Sequence, residues 1–428
     1  MKKYKYLIIC LFTFILLFLN STSIYASDTS SLEINSPSVI LIERNTGNVL
    51  YEKNANAIRY PASTTKIMTA ILTLENCNLS DTVRVTYSAI QNVPSGYSIA
   101  DLKVDEELTV EQLLHLLLIP SASDAANTLA EHIGGSIESF ATLMNTKAKE
   151  IGCTSTNFTN PDGKHDENHT STAYDLTLMA NYAMNNETFR SIVSKASYIL
   201  YPTNKCNTER YFKTTNSLLN KYSDDYYYDK AIGIKTGFTT PAGNCLVAGA
   251  KVDDMECIVT ILGATQNSDG LSERFLEAQK LFEFAFGNYT YKTVKYKSDI
   301  AKTIEVKGAT KDTKTLNIEL DKNIYAFINK EDLNTNFEPT ITLNENIKAP
   351  ILKGEKLGTA TYTIENKTYT ANLVASNDVY KSNMPIIIGI ILVIIFLVCL
   401  KIFLDKKNNI LNKKNHKRTK RTSLKKDN

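Results

Sequence analysis

The chain has 428 residues, 43% hydrophobic and 22% charged, the composition of a globular protein with a sizeable core divided among two or three domains. Its formal charge of +3 resolves into a body of −9 between a start of +3 (Lys2, Lys3, Lys5) and an end of +9 (Lys401 onward). A mildly acidic body excludes the nucleic-acid binders, whose basic patches lie on the folded domain itself, and leaves the basic ends as topology signals.

Residues 1–26 read as a secretory signal peptide: lysines first, an apolar run over 7–19, then a polar stretch ending in Ile24-Tyr25-Ala26, with cleavage expected after Ala26. An uncleaved anchor is the alternative, although the run is short for a membrane span. A domain over 27–288 follows. Residues 39–42 and 49–51, joined through Arg44-Asn45-Thr46-Gly47-Asn48, predict a β-hairpin. Pro61-Ala62-Ser63-Thr64-Thr65-Lys66 then opens an apolar run over 67–74. On a helix, residues three apart are neighbours, so Ser63 and Lys66 share a face and the amine reaches the hydroxyl. A serine nucleophile can be activated in this way without histidine. Alone the Ser-x-x-Lys is a weak signal, since an N-capped helix with a lysine in its first turn reads the same.

Further on, strands at 83–85 and 108–110 flank the turn Pro94-Ser95-Gly96, and residues 110–119 form a strongly apolar helix stopped by Pro120. Ser121-Ala122-Ser123-Asp124-Ala125-Ala126-Asn127 opens another helix toward Gly134-Gly135; such polar residues between apolar helices either face a cleft or cap a helix. Asn160-Pro161-Asp162-Gly163 is a turn. His165 and His169 have neither a helix to align them nor a His-Glu-x-x-His order, so no metal site is expected. Residues 172–184 are helical. Residues 231–239 form a strand carrying Lys235-Thr236-Gly237, followed by strands at 244–251 and 256–263 and a helix at 272–286.

From 289 to 376 the pattern changes to short alternating strands without a helical period, a small all-β domain with no catalytic constellation inside it. Residues 382–400 carry no charge and, with Ile402, Phe403 and Leu404, reach roughly the 20 residues of a spanning helix, which is placed at 382–404. The basic tail, 405–428, belongs in the cytosol by the positive-inside rule, leaving the body outside. Cys77, Cys153, Cys206, Cys245 and Cys257 are scattered in odd number with no Cys-x-x-Cys pair. They suit neither a disulfide framework nor a zinc site and are read as small buried apolar residues.

Ser63-x-x-Lys66, Ser121-x-Ser123 and Lys235-Thr236-Gly237, in this order, resemble the penicillin-recognising serine enzymes, and among them the low-molecular-mass D-alanyl-D-alanine carboxypeptidases. The likeness extends to the stretch from Asn160-Pro161-Asp162-Gly163 to His169, to Phe238 and Thr239, to Arg274, and to Ala349-Pro350-Ile351-Leu352-Lys353-Gly354-Glu355-Lys356-Leu357-Gly358. It implies an α/β (α+β) fold: a β-lactamase/transpeptidase-like domain with an antiparallel sheet and a helical cluster, then the all-β domain and a C-terminal transmembrane helix. It implies Ser63 as nucleophile on the bond between two D-alanines of a peptidoglycan stem peptide. Lys66 takes the proton, its pKa lowered by burial and by Lys235, and Ser121 passes the proton on. Lys235, Thr236 and Arg274 hold the terminal carboxylate, with Gly237, Phe238 and Thr239 along the substrate. The N–H groups of Ser63 and Phe238 form an oxyanion hole worth about 3–4 kcal/mol of barrier lowering. The resemblance assigns no role to a metal or organic cofactor, makes β-lactams inhibitors, anchors the chain by a single pass in the cell membrane, and leaves the partner of the β-domain open.

One position departs from the pattern. The family's middle motif ends in asparagine, and here the matching residue is Ser123, expected to orient the substrate's amide with a shorter hydroxyl; Asn127 lies a turn too late. Two other readings compete. A β-lactamase would need a deacylating glutamate between the second and third motifs. A non-catalytic cell-wall-binding protein would not need to retain Ser63, Lys66, Ser121 and Lys235.

Overall fold

A computed structural model describes residues 32–423; the expected signal peptide at 1–26 lies outside them. The chain divides into one unit up to Tyr289 and another from Thr290.

In the first unit, β1 (Ser38–Glu43) is buried at every position, as a strand covered on both faces must be, and turns through Gly47 into β2 (Val49–Lys53). A 3-10 turn, Ala62–Thr65, runs straight into α1 (Lys66–Asn76), whose first eight residues are all buried. β3 (Thr82–Arg84), the short α2 (Tyr87–Gln91) and β4 (Glu107–Thr109) lead to α3 (Val110–Leu118). That helix starts on a reciprocal cap between Thr109 and Gln112 and stops before Pro120. α4 (Ser123–Gly134) ends at Gly135, whose φ of +75° is the left-handed cap that glycine adopts without strain.

The expected elements do not include α5 (Ile137–Ile151). Of its residues only Phe140, Ala141, Met144 and Ala148 are buried, so its apolar stripe is too narrow to stand out in the sequence. After α6 (Ala173–Ala183), the short α7 (Glu187–Val193) and the hairpin of β5 (Ser197–Leu200) with β6 (Arg210–Lys213) are likewise unannounced. Then β7 (Ala231–Thr239), β8 (Gly243–Val252) and β9 (Met255–Ala264) follow one another antiparallel and complete a five-stranded sheet in the order β2-β1-β9-β8-β7. β9 is buried at nine of its ten positions, packed by α6 and by α8 (Glu273–Asn288). β7 is an edge of this sheet, the position from which an extended chain can be added.

The second unit begins in β10 (Tyr289–Lys295). β11 (Ile300–Glu305), β12 (Thr315–Leu320), β13 (Ile324–Asn329), β14 (Thr340–Leu343), β15 (Lys356–Ile364) and β16 (Lys367–Ala375) follow. They make a five-stranded sheet, β11-β12-β16-β15-β14, and a β10-β13 pair around a core that includes Leu316, Ile318, Leu320, Ile324 and Leu373. β12 shows why: its buried residues alternate, Leu316, Ile318, Leu320. α9 (Met384–Ser423) closes the chain, and its part Met384–Lys414 is long and apolar enough to cross a membrane, with none of its apolar window buried in the protein. The architecture is thus the α+β domain, all-β module and C-terminal apolar helix that the sequence implies.

Gly358 makes the β-module testable. A Cβ built on it would lie 2.2 Å from the Thr342 carbonyl oxygen and 2.9 Å from Leu343 Cα, both backbone atoms of the paired strand. Gly358→Ala is expected to destabilise the module by roughly 1–3 kcal/mol, read as a lower urea midpoint at unchanged m-value. An unchanged midpoint would mean that β14 yields freely.

Candidate active site

Ser63 sits in the 3-10 turn and Lys66 is the first residue of α1, so the two side chains leave the backbone on one side. Lys66 is fully buried. Its Nζ is 3.1 Å from Ser63 Oγ, 3.2 Å from Ser123 Oγ and 2.7 Å from the Asp162 carbonyl oxygen. A protonated amine can donate to all three. Once uncharged it keeps two N–H donors, for the Asp162 carbonyl and Ser123 Oγ, and its lone pair is free for the Ser63 hydroxyl. Burial, opposed by the pull of Asp162 and Asp124, lowers the Lys66 pKa from its ordinary 10.5 to about 8. The Ser63 hydroxyl has a longer alternative acceptor, the Asp162 carbonyl at 3.3 Å.

The carbonyl of Asp162 is held in place by the Asn160-Pro161-Asp162-Gly163 turn. Asn160 Oδ1 accepts the Gly163 N–H at 2.8 Å, and Thr69 Oγ1 on α1 donates to the Pro161 carbonyl at 2.5 Å. Gly163, at φ +82°, lies so close under the turn carrying Ser63 that a Cβ would fall 1.9 Å from the Ala62 carbonyl oxygen. His169 ties the same loop to the 3-10 turn ahead of α1. Its Nδ1 accepts the Thr159 N–H at 3.0 Å, which leaves the proton on Nε2 to donate to Thr65 Oγ1 at 2.8 Å. Burial lowers its pKa to about 4, and both ring nitrogens are committed to the fold. His165 instead stands edge-on to Tyr60 and borders the cleft.

The second motif bends sharply between α3 and α4. Ser121 has φ +67°, left-handed for a residue with a Cβ, at a cost of about 1–2 kcal/mol. The bend is held by the Ala122 N–H to the Leu116 carbonyl (2.9 Å) and the Ser123 N–H to the Ser98 carbonyl (2.8 Å). Ser121 lines the cleft. Ser123 is 1% exposed, and its hydroxyl lies against the Lys66 amine.

The third motif is on edge strand β7. Lys235 is buried, its Nζ donating to the Thr236 carbonyl at 3.0 Å. Its pKa is pushed far down, first by burial and then by Lys66 and Arg274. Both buried lysines are thus driven toward their neutral forms, with burial the largest cause for each. Thr236 Oγ1 is 2.5 Å from Thr215 Oγ1, and Arg274 Nη1 donates to the carbonyls of Gly237 (2.9 Å) and Cys245 (3.2 Å). A Cβ on Gly237 would lie 2.9 Å from the Ser63 nitrogen, so glycine is what lets β7 approach Ser63.

Ser63, Ser121, Thr236, Gly237, Phe238, Thr239 and Arg274 line one cleft of about 440 Å³, with Phe238 60% exposed at its mouth. Tyr97, His165 and Thr215 also line it. Sequence motifs did not mark Tyr97 or Thr215, because a loop that closes a cleft carries no periodicity. The Asp162 carbonyl was equally invisible, since a backbone group leaves no residue signature.

The chain matches the D-alanyl-D-alanine carboxypeptidase family over residues 25–266 and the penicillin-binding protein 5 C-terminal domain over 289–381. It is 35% identical over 357 residues to the D-alanyl-D-alanine carboxypeptidase DacF of Bacillus subtilis (strain 168), covering 82% of this chain and 87% of that one. Among solved structures it is similar to the D-alanyl-D-alanine carboxypeptidase DacD of Francisella tularensis, with TM-score 0.60, 26% identity, and 83% and 96% of the two chains covered. It is also similar to the Streptomyces K15 DD-transpeptidase, with TM-score 0.54, 34% identity, and 60% and 98% covered.

Two outcomes follow from the lysine's surroundings. Below about pH 8 the Lys66 amine is protonated and donates to Ser63 Oγ; above it the lone pair is free to accept. The rate constant for acylation of Ser63 by a chromogenic β-lactam should therefore rise with pH through about 8 and level off, and a profile flat from pH 6 to 10 would contradict this assignment. Ser123→Ala removes one acceptor from Lys66. Acylation should slow by about tenfold, or about 1.4 kcal/mol, with KM little changed. The pH midpoint should move down, because the protonated amine loses a partner. Ser123→Asn must fit a larger side chain into a buried site and should also slow acylation; a faster Asn variant would mean that position 123 reaches the substrate.

Proposed function

The chain belongs to the D-alanyl-D-alanine carboxypeptidase family, and from that membership we propose how its residues divide the work. The protein is a serine-type D-alanyl-D-alanine carboxypeptidase of cell-wall metabolism. In our reading Lys66 takes the proton from Ser63, and Oγ attacks the carbonyl between the last two D-alanines of a peptidoglycan stem peptide. The observation that carries this is the buried amine 3.1 Å from the hydroxyl, with its remaining capacity taken by Asp162 and Ser123.

The Ser63 and Phe238 N–H groups receive the developing oxyanion, which the close approach of Gly237 to the Ser63 nitrogen supports. Ser121 hands the proton to the leaving D-alanine, whose carboxylate lies toward Thr236 and Arg274. Lys235, buried behind them, donates from Nζ to the Thr236 carbonyl and holds that part of the strand in place. Water then attacks the acyl-enzyme with Lys66 again as base, and the peptide is released one residue shorter. A β-lactam enters the same route and stalls as the acyl-enzyme. Among the described residues lining the cleft there is no carboxylate side chain of the kind an efficient β-lactamase would use to deacylate. Ser123 acts as a positioning residue for Lys66. A signal peptide at 1–26 exports the body, and α9 anchors it to the cell membrane by a single pass, with the body on the extracytoplasmic side.

Ser63→Ala should abolish both labelling by a fluorescent penicillin and release of D-alanine from a D-alanyl-D-alanine peptide. Peptide mapping of the labelled wild-type chain should find the adduct on Ser63; an adduct on another serine would overturn the scheme.

A further inference from the structure

Three loops of the β-module meet at one end of its sheet. Lys307 bridges Lys348, Ala309 bridges Lys381, and Ile351 bridges Val379. Tyr380 is held among them: its N–H donates to Thr313 Oγ1 (3.1 Å) and its carbonyl accepts the Thr310 N–H (2.9 Å). Two residues on, the Ser382 N–H donates to the Gly308 carbonyl at 2.8 Å. The backbone is therefore part of the module as far as Ser382, and α9 begins at Met384.

The side chains at this end do not suit water alone. Leu352 is 69% exposed and Tyr380 60%. Around them Lys307, Lys348, Lys353 and Lys381 are exposed and have no salt-bridge partner among the described residues. Two nearby carboxylates are turned to backbone: Glu355 accepts the Leu352 N–H at 3.0 Å and Asp378 the Lys353 N–H at 2.7 Å. An aromatic and an aliphatic side chain ringed by lysines is the composition favoured at an anionic lipid surface.

We propose that this end of the β-module lies on the bilayer that α9 enters, with Leu352 and Tyr380 in the headgroup layer and the four lysines on anionic headgroup phosphates. The inference rests on reading α9 as a membrane anchor. Distance selects the occupant. The four residues from Tyr380 to Met384 span at most about 14 Å, and the headgroup layer is roughly 5–7 Å deep on each side. A face tethered so closely meets lipid before any soluble partner. The β-module is then a foot with a fixed contact, and the helix is not a loose leash.

The chain contains no tryptophan, so one placed in this patch is a unique reporter. Leu352→Trp in the full chain, reconstituted in phosphatidylglycerol-containing vesicles, should lose most of its emission when the lipids are brominated near the headgroup. Tyr296→Trp is the control. It lies beyond the far end of β11, whose length is about 17 Å, and should keep its emission. Adding Lys348→Glu and Lys381→Glu to the Leu352→Trp chain should restore most of the lost signal. Equal emission of Leu352→Trp in brominated and plain vesicles, with the chain floating with the vesicles, would overturn the docking and leave the anchor standing. Failure of the chain to float with the vesicles would overturn both.

Discussion

A lysine without water around it is expensive to keep charged, and the site is arranged around that fact. Lys66 is fully buried, and its pKa falls to about 8 although Asp162 and Asp124 pull the other way. A charged ammonium beside Ser63 could only donate. The neutral amine can accept, and the two remaining N–H groups are taken by a carbonyl and a hydroxyl at 2.7 and 3.2 Å. General-base catalysis is most effective when the base has a pKa near the working pH, and burial moves Lys66 toward that range.

Holding that amine in place requires close backbone packing. The turn containing Asp162 fits under Ser63 because Gly163 has no side chain, and β7 approaches from the other side because Gly237 has none. Where side chains are needed instead, the backbone accepts strain: Ala62 at φ +47° precedes Ser63, and Ser121, at φ +67°, lines the cleft. The strain persists because α3, α4 and the loop around Ser98 fix both sides of the bend. At position 123 the hydroxyl lies 3.2 Å from the Lys66 amine, so a change there acts on the lysine directly.

Much of this was legible in the sequence because it lies in short, ordered motifs on strongly apolar elements. Ser63 and Lys66 begin a helix buried over its first eight residues, and Lys235 lies on a strand flanked by two more apolar ones. The β-module announces itself by alternation, as in Leu316, Ile318 and Leu320. Other features left little trace. α5 has four buried residues and a polar remainder, and the β5–β6 hairpin is partly exposed on both strands. The Asp162 carbonyl is backbone, and the role of Thr215 depends on a contact with Thr236 that no spacing predicts. The burial of Ser123 was hidden for a similar reason. A helix start facing a cleft and one facing a buried lysine share the same residues.

The central claim is that burial lowers the Lys66 pKa to about 8 and so brings the neutral amine within reach. It is tested most directly by following its side-chain nitrogen through a pH titration by NMR with 15N-lysine labelling. Assignment would come from comparison with a Lys66→Gln chain. The account predicts a single transition near pH 8, well below the 10.5 of an ordinary lysine. A Lys66 resonance that titrates near 10.5 would contradict it, and the proton acceptor would have to be sought elsewhere in the cleft.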